Sequence, residues 1–317
     1  MAGKKTKDYV SEIRRMKAEK NAIILAHYYQ TDDIQDLADF VGDSLGLSQK
    51  AASNSADIIL FAGVRFMAET AKILAPGKKV LLPDMDAVCS LADSCKADEF
   101  KKFIDENPGR IVVSYVNTTA EIKALSDIIC TSSNAVQIVN SLPEGQKILF
   151  APDRNLGNYV MNITGRDMVI WNGTCHVHEE FSLEEILRLK KENIGAKIIV
   201  HPECELPIRM VADYIGSTAG LLQFTKKDPG ECYIIATEPG IIHQMKKENP
   251  EKKYIPAPPK DSTCGCSECN FMKLITVEKI YNCLKTEKPE IYIEGKLLGD
   301  AQKPIKRMME ISKNLGL

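Results

Sequence analysis

The sequence predicts an α/β protein made of three related units, each with a short parallel sheet. Short apolar strands alternate with helical segments along the chain, which is typical of parallel α/β units. The alternation repeats with a period of roughly 87 residues, as a search for internal self-similarity reveals. The strands of successive repeats also end in similar polar residues. Together these observations favour three copies of one unit over chance likeness among generic strand–helix segments.

The first strand of each repeat ends in two polar residues spaced i and i+2. In an extended segment such residues point to the same side. Parallel sheets bind ligands at the carboxyl ends of their strands, so three such ends that face a common centre would form one shared site. The strands and their polar pairs are 22–29 with His27 and Tyr29, 110–117 with Tyr115 and Asn117, and 197–203 with His201 and Glu203.

The second strand of each repeat is expected to lead into a helix. In the second and third repeats this junction carries hydroxyl residues, while Gly63–Met67 of the first repeat carries none. Backbone N–H groups at a helix N-terminus favour carboxylate or phosphate groups. The predicted strands and hydroxyl residues are 56–63, 126–134 with Ser132, and 212–219 with Ser217 and Thr218.

The third strand of each repeat ends in an acidic residue. We expect these acids to cap the helix that follows, because a carboxylate at the N-cap accepts a hydrogen bond from an unpaired N–H group. The strands are 80–84 ending in Asp84, 148–153 ending in Asp153, and 233–238 ending in Glu238. A fourth strand is expected at 167–171, and Cys89 is expected to follow the third strand of the first repeat.

The repeats predict domains at 1–108, 109–194 and 195–270. The helices of about 271–317 are expected to join the first unit. The turn-forming segments Glu106–Gly109 and Glu192–Gly195 precede the second and third repeats.

The composition excludes several functional classes. The chain has 317 residues, 44% hydrophobic and 26% charged, with a net charge of -2 and a pI near 6.3. This balance provides no basic field for nucleic acid or an anionic membrane, and no run approaches the roughly 20 apolar residues of a membrane span. The charged N-terminus lacks the apolar core of a secretory signal and instead predicts a helix with Val10, Ile13 and Met16 on one face. We therefore expect a cytoplasmic protein.

The chain has ten cysteines, and disulfides are rare in the reducing cytoplasm. Cysteines in apolar strands or amphipathic helices are usually small core residues, and we interpret Cys130, Cys232 and Cys283 in this way. The remaining cysteines are harder to explain by packing, above all those in segments predicted as loops: Cys89, Cys175, Cys264, Cys266 and Cys269.

Cys89, Cys175 and Cys269 are separated by 86 and 94 residues, close to the repeat length. Each repeat can therefore offer one thiolate to a central metal site. Three thiolates and a histidine such as His178 could bind zinc, and three thiolates could also hold a [4Fe–4S] cluster with one open iron. The local segment 264–269 could bind metal alone or form a disulfide between Cys266 and Cys269.

Many further segments resemble, in order along nearly the whole chain, the quinolinate synthase family. The matching segments are 26–30 (AHYYQ), 42–44 (GDS), 66–72 (FMAETAK), 83–84 (PD), 89–93 (CSLAD), 115–119 (YVNTT), 131–135 (TSSNA), 152–157 (PDRNLG), 171–179 (WNGTCHVHE), 201–204 (HPEC), 216–218 (GST) and 269–272 (CNFM). The chain departs from the family at Asn270, where proline is common, and Cys264 and Cys266 vary within it. The third cysteine ligand is assigned to Cys269, with Cys266 as the alternative.

The resemblance implies a carbon–carbon bond-forming transferase of de novo NAD biosynthesis. Members condense iminoaspartate with dihydroxyacetone phosphate to quinolinate, with loss of phosphate and two waters. L-Aspartate oxidase or aspartate dehydrogenase would supply the iminoaspartate. The implied fold has three pseudo-equivalent three-layer α/β/α domains around a pseudo-threefold axis. One [4Fe–4S] cluster at its centre would be held by Cys89, Cys175 and Cys269, with one open iron acting as a Lewis acid.

The resemblance also assigns roles to the polar residues at the strand ends. Glu203 is expected to be a general base, with Tyr29 and Tyr115 as orienting or proton-relay groups and His27 and His201 as further catalytic residues. The residues expected to bind substrate are His27, Ser44, Tyr115, Asn117, Ser132, His201, Glu203, Ser217 and Thr218.

Two rival functions remain open from the sequence. A radical enzyme of diphthamide synthesis has a similar triplicated architecture and three dispersed cysteines, but the polar pairs at the strand ends favour a small dicarboxylate. A metal-stabilised or electron-transfer protein is the second rival, although an electron carrier usually surrounds its cluster with four cysteines.

Overall fold

The computed structural model describes residues 2–261 and 267–317, with side chains from residue 8 onward. In these residues twelve strands form three separate four-stranded sheets. Neighbouring strands are parallel throughout the three sheets. Each sheet has the order second, first, third, fourth in its own strands. The predicted α/β class, with three short parallel sheets, is confirmed.

The first unit extends from the N-terminus to the helix before the second sheet. Its elements are α1 (Ala2–Glu19), β1 (Ala22–His27), α2 (Asp32–Leu37), β2 (Phe40–Gly42), α3 (Ser44–Ser53), β3 (Ile58–Ala62), α4 (Arg65–Leu74), β4 (Lys79–Leu81), α5 (Ser90–Asp93) and α6 (Ala97–Asp105). Helix α1 buries Ile13 and Met16, as its periodicity predicts. All five residues of β3 are buried, as is typical of a parallel strand covered on both faces.

The second unit follows the same plan. Its elements are β5 (Ile111–Tyr115), α7 (Ala120–Ala124), β6 (Ile128–Cys130), α8 (Ala135–Asn140), β7 (Ile148–Ala151), α9 (Arg154–Thr164), β8 (Met168–Ile170), α10 (His176–Glu179) and α11 (Leu183–Glu192). The expected cap is present in this unit, where Oδ1 of Asp153 accepts a 2.7 Å hydrogen bond from the N–H of Leu156. The fourth strand predicted at 167–171 is β8.

The third unit and the C-terminal helices complete the chain. Their elements are β9 (Lys197–Val200), α12 (Leu206–Met210), β10 (Tyr214–Ile215), α13 (Thr218–Lys227), β11 (Cys232–Ala236), α14 (Ile241–Glu248), β12 (Lys253–Pro256), a 3₁₀ turn (Met272–Leu274), α15 (Val277–Thr286) and α16 (Gly295–Asn314). Helix α15 packs on α1, and α16 packs on α7 and β6 of the second unit. No helix of the described residues is long and apolar enough to span a membrane.

Two alignments predicted for the first unit are wrong. Its second strand is β2, while 56–63 contains the third strand and 80–84 overlaps the fourth, β4. Strand β2 has only three residues between Asp39 and Asp43, too few to form a recognisable apolar run. In the corrected alignment Cys89 follows the fourth strand, not the third, and Cys175 and Cys269 also follow the fourth strands of their units.

The capping prediction also fails at two of its three positions. Glu238 lies two residues before the N-cap residue of α14, Gly240, and accepts a 2.7 Å hydrogen bond from its N–H group. Asp84 precedes a turn and pairs with Lys279 of α15. Both carboxylates therefore have tertiary partners, Lys279 for Asp84 and Lys273 for Glu238 at 2.8 Å.

Candidate active site

One cavity collects residues from all three units at the carboxyl ends of their strands. Of the predicted site residues, those that line it are His27, Tyr29, Ser44, Cys89, Tyr115, Asn117, Ser132, Cys175, His201, Glu203, Thr218 and Cys269. Ser217 is not among the lining residues. It caps α13 by accepting a hydrogen bond from the N–H of Gly220, so the structure gives it a local structural role beside the cavity.

Two histidines at strand ends adopt the same conformation. The backbone N–H of Tyr29 donates to Nδ1 of His27 at 3.2 Å, and that of Glu203 donates to Nδ1 of His201 at 3.3 Å. Burial lowers the pKa of each histidine to about 3. Because Nδ1 accepts a hydrogen bond in both rings, the proton of the neutral imidazole must lie on Nε2. Each histidine is therefore an uncharged N–H donor.

Glu203 is the charged centre of the site and is only 2% exposed. Tyr115 donates a 2.6 Å hydrogen bond to its Oε1, and Nδ1 of His178 lies 3.2 Å from its Oε2. Burial by itself raises the pKa of Glu203, but His178, His201 and the Tyr115 hydroxyl outweigh burial and hold it at about 2. Glu203 is thus a carboxylate at neutral pH.

The two tyrosines remain protonated. Burial raises the pKa of both Tyr29 and Tyr115 well above the ordinary value, and the charge of Glu203 raises it further. The Tyr29 hydroxyl lies 2.9 Å from Oγ1 of Thr218 and 2.8 Å from Oγ1 of Thr237. Both tyrosines are therefore protonated hydroxyls; the Tyr115 proton is directed to Glu203, and the Tyr29 hydroxyl lies between two threonine hydroxyls.

The ends of the three second strands meet beside the cavity. Oγ of Ser133 lies 2.5 Å from Oδ2 of Asp43 and 2.8 Å from Oγ of Ser217, which joins one residue from each unit. Helices α3 and α13 begin at Ser44 and Thr218, and both of these residues line the cavity. Because helix N-termini carry partial positive charge, this region suits an anion. No lysine or arginine of the described residues lines the cavity.

The three cysteines Cys89, Cys175 and Cys269 line the same cavity as the polar residues. Burial raises the pKa of Cys89 to about 12 and that of Cys269 to about 11, and it raises that of Cys175 well above its ordinary value. Buried thiols that raise one another's pKa can ionise together only with a cation between them. The donor set therefore fits a metal or an iron–sulfur cluster. Cys264 and Cys266 lie outside the described residues.

The loops that carry the cysteines contact one another through the residues that follow. Oγ of Ser90 lies 2.8 Å from Nδ1 of His176, and the His176 ring meets the edge of Phe271 at 5.9 Å between centroids. Glu238, the acidic residue after the third strand of the third unit, contacts the cysteine loop of the same unit. Its Oε1 accepts a 3.5 Å hydrogen bond from the N–H of Cys269. These contacts hold the three loops together without any direct bond between the cysteines.

A second group of possible metal ligands overlaps the first. The ligand atoms of Cys175, His178 and Glu203 all lie within 4.8 Å of one another. Nitrogen, oxygen and sulfur ligands of this kind suit zinc. The two donor sets share only Cys175, so substitution of Cys89 or Cys269 discriminates between them.

The structure places at the site further residues that the sequence did not single out. Thr237 links Tyr29 to His178, since its Oγ1 lies 3.0 Å from Nε2 of His178. Asp43 and Ser90 also belong to the site. Asp43 stands beside the predicted Ser44, and Ser90 follows the predicted Cys89, so their neighbours offered a signal. The sequence contains no comparable signal for Thr237, because threonine is common after a buried strand.

Substitution of Gly173 by Ala is expected to destabilise the fold by about 1–3 kcal/mol through overpacking. A Cβ atom at Gly173 would lie 2.6 Å from the carbonyl oxygen of Pro152 and 2.7 Å from Oγ of Ser94. Chemical denaturation measures the effect. Gly299→Ala is the matched control, because its Cβ would meet nothing within 4 Å in α16. An unchanged denaturation midpoint in Gly173→Ala would contradict this close approach.

The fold and the site define a class: an α/β enzyme of three parallel-sheet units whose shared cavity combines three cysteines with neutral donors and the two acidic side chains of Asp43 and Glu203. The family model described as "Quinolinate synthetase A protein" matches residues 11–310. The chain belongs to this family.

Curated relatives cover almost the whole chain. A protein of Microcystis aeruginosa named "Quinolinate synthase" is 58% identical over 305 residues, which is 96% of this chain and 95% of the relative. Proteins of the same name from Thermosynechococcus vestitus and Synechocystis sp. are also 58% identical, over 96% of this chain and 96% of each relative.

Proposed function

We propose that the chain is a quinolinate synthase that condenses iminoaspartate with dihydroxyacetone phosphate and releases phosphate and two waters. The observation that carries the proposal is the match to proteins named quinolinate synthase over 96% of the chain. The cavity is consistent with it, because it combines donors for anionic groups with the acidic side chains of Asp43 and Glu203 and the hydroxyls of Tyr29 and Tyr115.

The anionic groups of the substrates are proposed to bind to neutral donors. His27 and His201 offer Nε2–H groups, and Ser44, Ser132 and Thr218 offer hydroxyls near helix N-termini. Neutral donors bind carboxylate and phosphate without the competing ion pairs that a buried lysine or arginine would form. Oδ1 of Asn117 is buried without a hydrogen-bond partner, and such an orphan acceptor suits a substrate hydroxyl or N–H group.

Cys89, Cys175 and Cys269 are proposed to hold one [4Fe–4S] cluster. Three thiolates saturate three irons, and an open iron supplies Lewis-acid chemistry to a substrate oxygen when the cluster is bound. The cysteines come from the loops after β4, β8 and β12, one from each unit. This arrangement supports a pseudo-threefold axis through the cavity and domain boundaries near 108, 194 and 270.

Proton transfer is assigned to Glu203 and the two tyrosines. A carboxylate with a pKa near 2 is a weak base, but bound carboxylate and phosphate groups would raise that pKa, because like charges disfavour ionisation. Tyr115 donates to Glu203 and orients it. Tyr29 faces the cavity as a protonated hydroxyl. Their positions allow one proton to be removed and another to be returned within the same cavity.

The biological setting follows from the substrates. Iminoaspartate must come from an aspartate-oxidising enzyme, either L-aspartate oxidase or aspartate dehydrogenase. All eight cysteines of the described residues are free thiols, which suits a reducing cytoplasm.

Quinolinate formed anaerobically from iminoaspartate and dihydroxyacetone phosphate is the test of this proposal. We expect turnover by protein that carries iron and sulfide, with one phosphate released per quinolinate. A radical enzyme of the diphthamide type would instead consume S-adenosylmethionine and leave both substrates unchanged. Stoichiometric zinc without iron or sulfide would overturn the cluster assignment.

A further inference from the structure

Lys123 in helix α7 is a fully buried lysine whose contacts lie behind the wall of the cavity. Its exposed fraction is 0%. Among the described residues its ammonium group contacts two backbone carbonyls and one aromatic ring, not a carboxylate. Lysine is almost never fully buried unless it is paired, because removal of its charge from water is costly. The contacts that offset this cost therefore indicate what the residue does.

The two carbonyls belong to a tight turn around Asn117, directly after β5. Nζ of Lys123 donates a 2.9 Å hydrogen bond to the carbonyl oxygen of Val116 and a second hydrogen bond to that of Thr118. The N–H of Thr118 donates to the Val116 carbonyl at 2.8 Å, which closes a three-residue turn. One lysine thus holds the carbonyls on both sides of Asn117.

The third contact of the ammonium group is the ring of Phe66 in α4, with Nζ 5.5 Å from the ring centroid. Burial lowers the pKa of Lys123 to about 8, although Glu69 and Glu121 oppose this decrease. The group is therefore mainly an ammonium at pH 7, with three N–H donors and no acceptor. Two carbonyls and the face of one aromatic ring use this whole capacity.

Both elements that Lys123 contacts form part of the cavity wall. Asn117 and Phe66 line the cavity, and Lys123 is not among the lining residues. Phe66 comes from the first unit, whereas the Asn117 turn comes from the second. Oδ1 of Asn117 is buried without a hydrogen-bond partner, so it is available to a ligand. The direction of that acceptor depends on the turn that Lys123 holds.

We infer that Lys123 is a positioning residue for substrate binding, which fixes the Asn117 turn against the Phe66 ring so that the Asn117 amide faces the substrate. The inference deepens the proposed function and rests on it. Lys123 touches only protein groups, and it serves the binding step and not proton transfer. Its loss should therefore weaken substrate binding while the chemical step is preserved.

The alternative is that Lys123 only stabilises the fold. Lys252 provides the comparison, because it makes the same kinds of contact away from the cavity. Its Nζ donates to the carbonyl oxygens of Thr225 at 2.6 Å and Asp228 at 2.8 Å, and it lies 5.7 Å from the centroid of the Tyr233 ring. The two lysines differ in what their partners border, so Lys252 reports the structural effect alone.

The test compares Lys123→Met with Lys252→Met in reconstituted holoenzyme under anaerobic conditions. Methionine keeps a long apolar side chain but removes the charge and all three donors. We expect Lys123→Met to raise KM for at least one of the two substrates by about 10-fold, as for one buried hydrogen bond that is no longer made. Its kcat and its iron and sulfide content should stay nearly unchanged. Lys252→Met should keep wild-type KM and kcat.

A double-mutant cycle with Asn117→Ala tests whether Lys123 acts through Asn117. If it does, Lys123→Met should raise KM much less in the Asn117→Ala background than in the wild type. Fully additive effects on KM would contradict this path and overturn the inference.

The remaining outcomes separate this inference from the proposed function. Wild-type KM in Lys123→Met holoenzyme, or a loss of kcat and cluster content without a change in KM, would overturn the inference alone. Should Lys123→Met not fold, Lys123→Gln, which keeps an N–H donor, takes its place. Failure of both variants to fold while Lys252→Met folds would assign Lys123 a structural role only and overturn the inference. A wild-type enzyme that forms no quinolinate would overturn the proposed function and the inference with it.

Discussion

Substitution of Glu203 by Gln is expected to lower kcat by about 10²–10⁴-fold, the range of general acid–base catalysis. The glutamine side chain would keep the size of the original one but could not take a proton. The buried hydrogen bond from Tyr115 could still be accepted by the amide oxygen, so the fold should survive. Steady-state quinolinate formation with both substrates at saturation measures the effect.

Glu205→Gln is the matched control for the Glu203 experiment. Glu205 lies two residues away on the same chain, is half-buried, and pairs with Lys260 at the surface. Surface ion pairs contribute little to stability, so this variant should keep wild-type kcat and cluster content. Full turnover by Glu203→Gln would remove Glu203 from the role of general base.

Loss of any one of the three cavity cysteines is expected to abolish quinolinate synthesis. Cys89→Ser, Cys175→Ser and Cys269→Ser each leave two thiolates, too few for the proposed cluster. Iron and sulfide analysis of anaerobically purified protein, together with its visible absorption, measures the result. Cys232→Ser is the control, because Cys232 is half-buried at the start of β11 and away from the cavity.

The three variants also separate the two possible metal sites. The cluster needs Cys89 and Cys269, whereas the alternative group consists of Cys175, His178 and Glu203. Metal that persists in Cys89→Ser and Cys269→Ser but disappears in Cys175→Ser would support the alternative group and contradict the cluster. Loss of iron in all three variants supports the cluster and assigns Cys269 as the third ligand over Cys266.

Local sequence was sufficient to predict the polar residues at the end of the first strand of each unit. His27, Tyr115 and Glu203 each follow an apolar run long enough to be recognised as a strand, and the structure brings these residues into one cavity. Local sequence was insufficient to predict β2, because this strand has only three residues and no apolar run. Because β2 was not predicted, the later strands of the first unit were each aligned one strand too early in the repeat. Ser44, which follows β2, was therefore assigned from the family resemblance and not from the repeat.

Partners across units were also beyond the reach of the sequence. The contact between Thr237 and Tyr29 joins residues 208 positions apart, and that between Tyr115 and Glu203 joins residues 88 apart. Neither residue type nor spacing indicates such pairs, because they depend on how three sheets pack together. The neutral state of His27 and the ionised state of Glu203 depend on the same packing, since burial and neighbouring groups set both pKa values.

The sequence by itself determined the α/β class, the three units and the candidate residues of the site, because strand periodicity and residue chemistry are local properties. Tertiary structure alone decided which strand precedes each cysteine, which acids cap helices and which side chains of different units contact one another around the cavity. The physical reason is that hydrogen bonds, burial and mutual charge act through space between residues that are distant along the chain. The cavity therefore exists only where the three units meet.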